Sequence, residues 1–240
     1  MLKNIGKLTF LKMWHIENGM NKNLPNGGFG ATLTDYSNLS NGYSSKNIQV
    51  DMENKIGGSK TPLVMFMNFN CCPIGYREYW TNREGDIWDW SVDRKNEGVL
   101  KSELVGNMIG KYDENDKLII VLPFILTFSG YSANNFTTNV IGKFLKKIRG
   151  FENNHKANPR QYLMNFRITK EVFDNGQSDK KGVSLIKLVE REPIVLDEEL
   201  TDNEKNPYSS FEIYKELNRV KWTTEYKQRN FVDDKWLFKK

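Results

Sequence analysis

The chain has 240 residues, 38% hydrophobic and 12% aromatic, which is enough to bury a core in one domain, with or without an extension, and too much for general disorder. A net charge of +5 and a pI near 9.0 lean toward polyanionic partners. No apolar run approaches the roughly 18 residues that cross a bilayer as a helix, so no membrane partner is expected.

The first residues lack the continuous apolar run of a secretion signal. The two cysteines, Cys71 and Cys72, are adjacent and build neither a disulfide framework nor a four-ligand zinc site. Together these predict a reducing, cytoplasmic setting, the host cytoplasm if the protein is viral. Asparagine occurs 27 times, a usage typical of AT-rich coding such as many phages have.

In chain order, Gly, Asn and Ser crowd residues 18–45, so residues 1–45 read as a loop-rich segment with at most one short strand. Residues 63–70 alternate as a strand. The aromatic runs 76–80 and 87–90, separated by Arg83-Glu84-Gly85-Asp86, read as a hairpin. Residues 118–128 are apolar on both parities, as a strand covered on two faces must be. The period then changes: Phe136, Val140, Phe144 and Ile148 mark an amphipathic helix capped by Ser132 or Asn134 and ending near Gly150. Beyond Pro159, Tyr162, Met164, Phe166 and Ile168 share one face of a strand, which Asp174-Asn175-Gly176 turns back toward residues 183–189. Residues 190–204 carry seven acids and one base and read as a linker. Ser209-x-x-Glu212 is a capping box opening a last helix with Phe211, Tyr214, Leu217 and Trp222.

Strands, a long buried strand, one helix and a final hairpin are the order of an OB-like, five-stranded Greek-key barrel with its helix between strands 3 and 4. The predicted organisation is a loop-rich segment over 1–45, the OB-like domain over 46–192, an acidic linker over 193–207 and a C-terminal helix and tail over 208–240.

No catalytic motif is present. His15 and His155 are far apart in sequence, and the zinc-protease, nucleophile-elbow, Walker and deaminase patterns are missing. Asp86, Asp89 and Asp93 have a spacing open to a metal, but a solvated hairpin rim accounts for them better; no metal, cofactor or enzymatic activity is expected.

Tyr76, Tyr79, Trp80, Trp88 and Trp90, interleaved with Arg77, Arg83 and Arg94, place five aromatics in 15 residues. Alternation sends at least one set outward. Exposed rings beside arginines suit a single-stranded polynucleotide, whose bases stack while cations follow its backbone. The same residues would equally serve a packed hairpin or a protein contact. From Thr137 to Lys170 eight bases face one acid, among them Lys143, Lys146, Lys147, Arg160 and Arg167, a focus suited to phosphates. Phe173 lies at the tip of the last hairpin.

The run Leu63-Val64-Met65-Phe66-Met67-Asn68, then Val121-Leu122-Pro123-Phe124, then Thr127-Phe128-Ser129-Gly130-Tyr131-Ser132 and Lys187-Leu188-Val189 resembles phage-encoded single-stranded DNA-binding proteins over residues 45–192. The resemblance implies an OB barrel that coats single strands without chemistry in replication and recombination, with replication or recombination proteins as further partners and a homo-oligomer left open. Such proteins often end in an acidic recruiting tail, whereas here Asp233-Asp234 gives way to Trp236, Phe238 and Lys239-Lys240. The rival expectation is a virion structural or assembly protein using the same aromatics as subunit contacts.

Overall fold

The computed structural model describes residues 2–16, 27–40, 48–53, 60–81, 98–111, 117–152, 157–172, 182–220 and 222. They are mainly β with some helices, built on a curled mixed sheet. Eleven strands occur among the described residues: β1 (Leu2–Ile5), β2 (Leu8–Ile16), β3 (Gly28–Thr32), β4 (Ile48–Glu53), β5 (Lys60–Phe66), β6 (Asn68–Thr81), β7 (Val99–Lys111), β8 (Leu118–Ser129), β9 (Tyr162–Val172), β10 (Gly182–Leu188) and β11 (Ile194–Val195). The main path runs β10-β9-β6-β7-β8-β2-β3-β5-β4, with β1 on β2 and β11 on β9. The sheet thus has many more strands than the five expected. Its pairs are antiparallel except β2 with β8, which are parallel with Leu11 opposite Phe124 and Trp14 opposite Thr127.

The N-terminal segment expected to be loop supplies β1, β2, β3 and helix α1 (Leu33–Leu39). Strand β2 sits inside the sheet because Leu11 and Met13 point to one core while Phe10 points to the other, so both faces of the strand are covered. Strand β6 returns through β7, with Thr81 opposite Val99. Residues 87–90, expected to form that return, lie outside the described residues. Strand β8 is flanked by β7 and β2, and it is buried from Val121 through Leu126, as its doubly apolar sequence requires.

Alternation along these strands divides the interior into two cores. On the first face, Phe69, Tyr76, Leu104, Phe124, Phe128 and Phe166 meet the helical segment that follows β8. That segment comprises α2 (Gly130–Phe136), a π-helical stretch (Thr137–Gly142) and α3 (Lys143–Glu152). Its N-cap is Ser129, three residues before Ser132 and five before Asn134, the two expected caps. Apolar residues at strict four-residue steps drift about 40° per step on an α-helix of 3.6 residues per turn. The wider π turn absorbs this drift, so Phe136, Val140, Phe144 and Ile148 all reach the core. Phe136 stacks on Phe128 at 4.0 Å.

On the second face, Phe10, Cys72, Ile74, Val105, Ile125 and Leu163 are covered by Leu196, by α4 (Glu198–Thr201) and by α5 (Ser210–Arg219), whose Ile213 and Leu217 are fully buried. The stretch expected to be a linker therefore packs, holding β11 and α4. Ser209 caps α5 by accepting from the Glu212 amide at 3.3 Å, as the capping box predicts. At the β6 bulge Gly75 lets the Trp222 ring approach closely: a Cβ there would meet the ring at 3.0 Å, a tight contact. The β1–β2 turn uses Gly6 at φ 57°, and the Lys7 amide donates to Glu216 of α5 at 2.7 Å.

Candidate functional site

Four neighbouring strands, β6, β7, β8 and β2, carry a set of polar and aromatic residues on the second face where α5 ends. Register fixes the rows. Tyr79 lies opposite Lys101, and Lys101 opposite Ser129. In the next row Arg77, Glu103, Thr127 and Trp14 follow one another across the sheet, and Lys12 lies opposite Ile125 beyond it. Cross-strand partners share a face, so Tyr79, Lys101, Ser129, Glu103, Thr127, Trp14 and Lys12 look the same way. They line an open groove of about 650 Å³ together with Thr81.

Trp14 and Tyr79 are half-buried and Lys12 is exposed. Their strands are three spacings apart, about 14 Å at 4.7–4.9 Å each, so a ligand touching both rings runs across the strands. Lys101 Nζ donates to Ser129 Oγ at 2.5 Å, which holds the ammonium on the groove floor. The Thr127 hydroxyl beside it makes no hydrogen bond.

Glu103 is the acid of this groove, and it is saturated. Arg77 donates to Oε2 through both Nε, at 2.8 Å, and Nη2; Tyr79 Oη donates to Oε1 at 3.0 Å, and Lys3 Nζ lies 4.0 Å away. Burial pushes the Glu103 carboxyl up, and Arg77, Lys3 and the hydrogen bonds more than reverse this, leaving it below its ordinary range. The groove therefore presents a carboxylate whose charge is already matched. The same contacts fix the Tyr79 ring, with the Arg77 guanidinium 5.5 Å from its centre.

The expected site residues divide. Tyr79 stands in the groove. Tyr76 is 1% exposed, in the first core, where its hydroxyl is shared with Thr137 and Glu78; it offers no stacking face. Arg77 is also withdrawn from phosphate binding: it is 2% exposed, pairs with Glu103, donates to the Trp222 carbonyl at 3.1 Å and lies 4.3 Å from the Trp222 ring centre. Arg160 is buried between α5 and β6, 4.2 Å from the Tyr214 ring centre, so a cation–π contact takes the place of the expected phosphate.

Trp80 is half-buried, and alternation turns it with Tyr76 to the first face. Lys143 and Lys146 are exposed and Lys147 half-buried on α3, across the sheet from Tyr79, so among the described residues Tyr79 and the helix lysines share no groove. Arg167 is exposed on the second face, opposite Lys187, at the β9 end of the sheet. Arg83, Trp88, Trp90, Arg94, Phe173 and the Asp86, Asp89 and Asp93 set lie outside the described residues.

Trp14, Lys12, Lys101 and Lys3 were not among the expected site residues. The alternation Phe10, Lys12, Trp14 against Leu11, Met13 is the signal that carried Lys12 and Trp14. No metal-binding cluster occurs among the described residues, and none of their helices is long and apolar enough to cross a membrane. No protein-family model, curated protein or solved structure matches the chain.

Proposed function

We propose that the protein binds single-stranded DNA, without chemistry, across the groove between β2 and β6. The observation that carries this reading is the pair of half-exposed rings, Trp14 and Tyr79, on one open floor with Lys12 and Lys101, where the acid is neutralised by Arg77. Bases stack on such rings at about 1–3 kcal/mol each whatever their sequence, and lysines follow the backbone. We read the curled sheet, with its helix inserted after the long strand β8, as a platform of the OB type, a fold that binds oligonucleotides on its strands. A role in phage replication or recombination follows from the resemblance to phage-encoded proteins of that kind.

Tryptophan quenching by oligo-dT tests the reading. Trp14→Phe should remove most of the quenching, and Trp14→Ala with Tyr79→Ala should weaken binding by tens of fold. Lys12→Ala and Lys101→Ala should each lower the slope of log affinity against log salt by about 0.7. Binding unchanged by the double aromatic variant, or no binding beside a defined oligomer, would overturn it and favour the assembly role.

A further inference from the structure

Trp14 and Tyr79 do not lie side by side on the groove floor. Strands β7 and β8 run between them, and Tyr79 stands one row further along, opposite Lys101 where Trp14 shares the row of Glu103. Three strand spacings of 4.7–4.9 Å separate their backbones by about 14 Å, and the row offset lengthens this. Three backbone bonds advance an extended peptide by about 3.6 Å, so the six bonds of one nucleotide advance an extended single strand by about 7 Å. One such step is too short to bring neighbouring bases onto both rings. Two steps span the distance.

Between the rings the floor changes character. Strands β7 and β8 give the groove Lys101, Glu103, Thr127 and Ser129, a cation, an acid and two hydroxyls, with no ring on either strand there. The acid is already paired with Arg77. Lys101 Nζ donates to Ser129 Oγ at 2.5 Å, which seats the ammonium between the two rings, and the Thr127 hydroxyl has no protein partner. Ammonium and hydroxyl donors are what a phosphate takes, whereas a base finds nothing here to stack on.

We infer that the groove binds a three-nucleotide register: Trp14 and Tyr79 stack the two outer bases, while the middle nucleotide is held through its phosphate by Lys101 and its base goes unread. This rests on the single-strand reading and adds to it the length of the unit bound. It also makes the site tolerant at the central position for a structural reason, the absence of a ring on β7 and β8.

Competition against a labelled long oligo-dT, with the full chain, tests the register. A thymidine trinucleotide should compete about tenfold or more better than the dinucleotide, because only the longer ligand reaches the second ring. Removing the middle base of the trinucleotide should change affinity by less than about twofold, and removing either outer base should cost about tenfold. Neutral methylphosphonate linkages should weaken the trinucleotide less on Lys101→Ala than on the wild-type chain, since the two changes remove the same contact. A trinucleotide no tighter than the dinucleotide, or a middle base whose loss costs as much as an outer one, overturns the register even while the long oligonucleotide binds. Neutral linkages that cost both chains equally overturn the phosphate seat. A chain that binds no long oligonucleotide removes the single-strand reading, and this inference with it.

Discussion

Arg77 and Glu103 form the most consequential pair of side chains in the molecule, because both are buried and each is the other's main partner. Removing one partner leaves a charge out of water and costs about 3–5 kcal/mol. Arg77→Met is therefore expected to lower stability by that order in urea unfolding and, on the proposed single-strand reading, to weaken DNA binding through the loosened Tyr79 ring; a variant as stable as wild type would contradict the burial. His15 gives a second test. Its ring lies against Phe29 and Phe128, and burial pushes its pKa down to about 4. The unfolded chain takes up a proton near pH 6.5 while the folded chain does not, so stability falls as pH falls through that window. The loss between pH 7.5 and pH 5 should be about 2 kcal/mol, and His15→Leu should flatten it. Cys72, raised to about 12 mainly by burial, shows why the paired cysteines are inert: they point into different cores.

Elements with a clean period were legible. The β9 face of Tyr162, Met164, Phe166 and Ile168 enters the first core as its alternation requires, and the capping box opens α5. Ser209→Ala should cost about 1 kcal/mol, measurable as a lowered midpoint of thermal unfolding. Strand β2 escaped because the Gly- and Asn-rich residues after it coloured the reading of the whole segment. Lys12 stands exposed on a strand paired along both edges, a place that local periodicity does not assign to a lysine. Strand β7 escaped for a related reason: Ser102, Glu103 and Asn107 interrupt its apolar run, and their burial is explained only by partners distant in sequence, such as Arg77 and the Tyr208 carbonyl.

At the scale of the molecule, the chemistry-bearing residues were recognisable by type, but their grouping depended on which face each strand presents. Tyr79 and Arg77 share a face with Trp14, more than 60 residues earlier in the chain, through two intervening strands. The lysine-rich helix, much nearer in sequence to β8, covers the opposite side. Charge density along the chain thus located a basic surface, and the sheet's topology assigned it to a different face from Tyr79 and Trp14.

The parallel pairing of β2 with β8 has a bearing on how the protein is made. Strand β2 is made well before β8, yet the slot it fills is bounded on one side by residues 124–127. The segment between them must be synthesised before that slot exists, and such non-local pairings form slowly. Strand β2 is also the link between the β10-to-β8 half of the sheet and the β3-to-β4 half. A polypeptide beginning after residue 16 would lose this keystone and leave two unpaired edges facing each other, an invitation to aggregate.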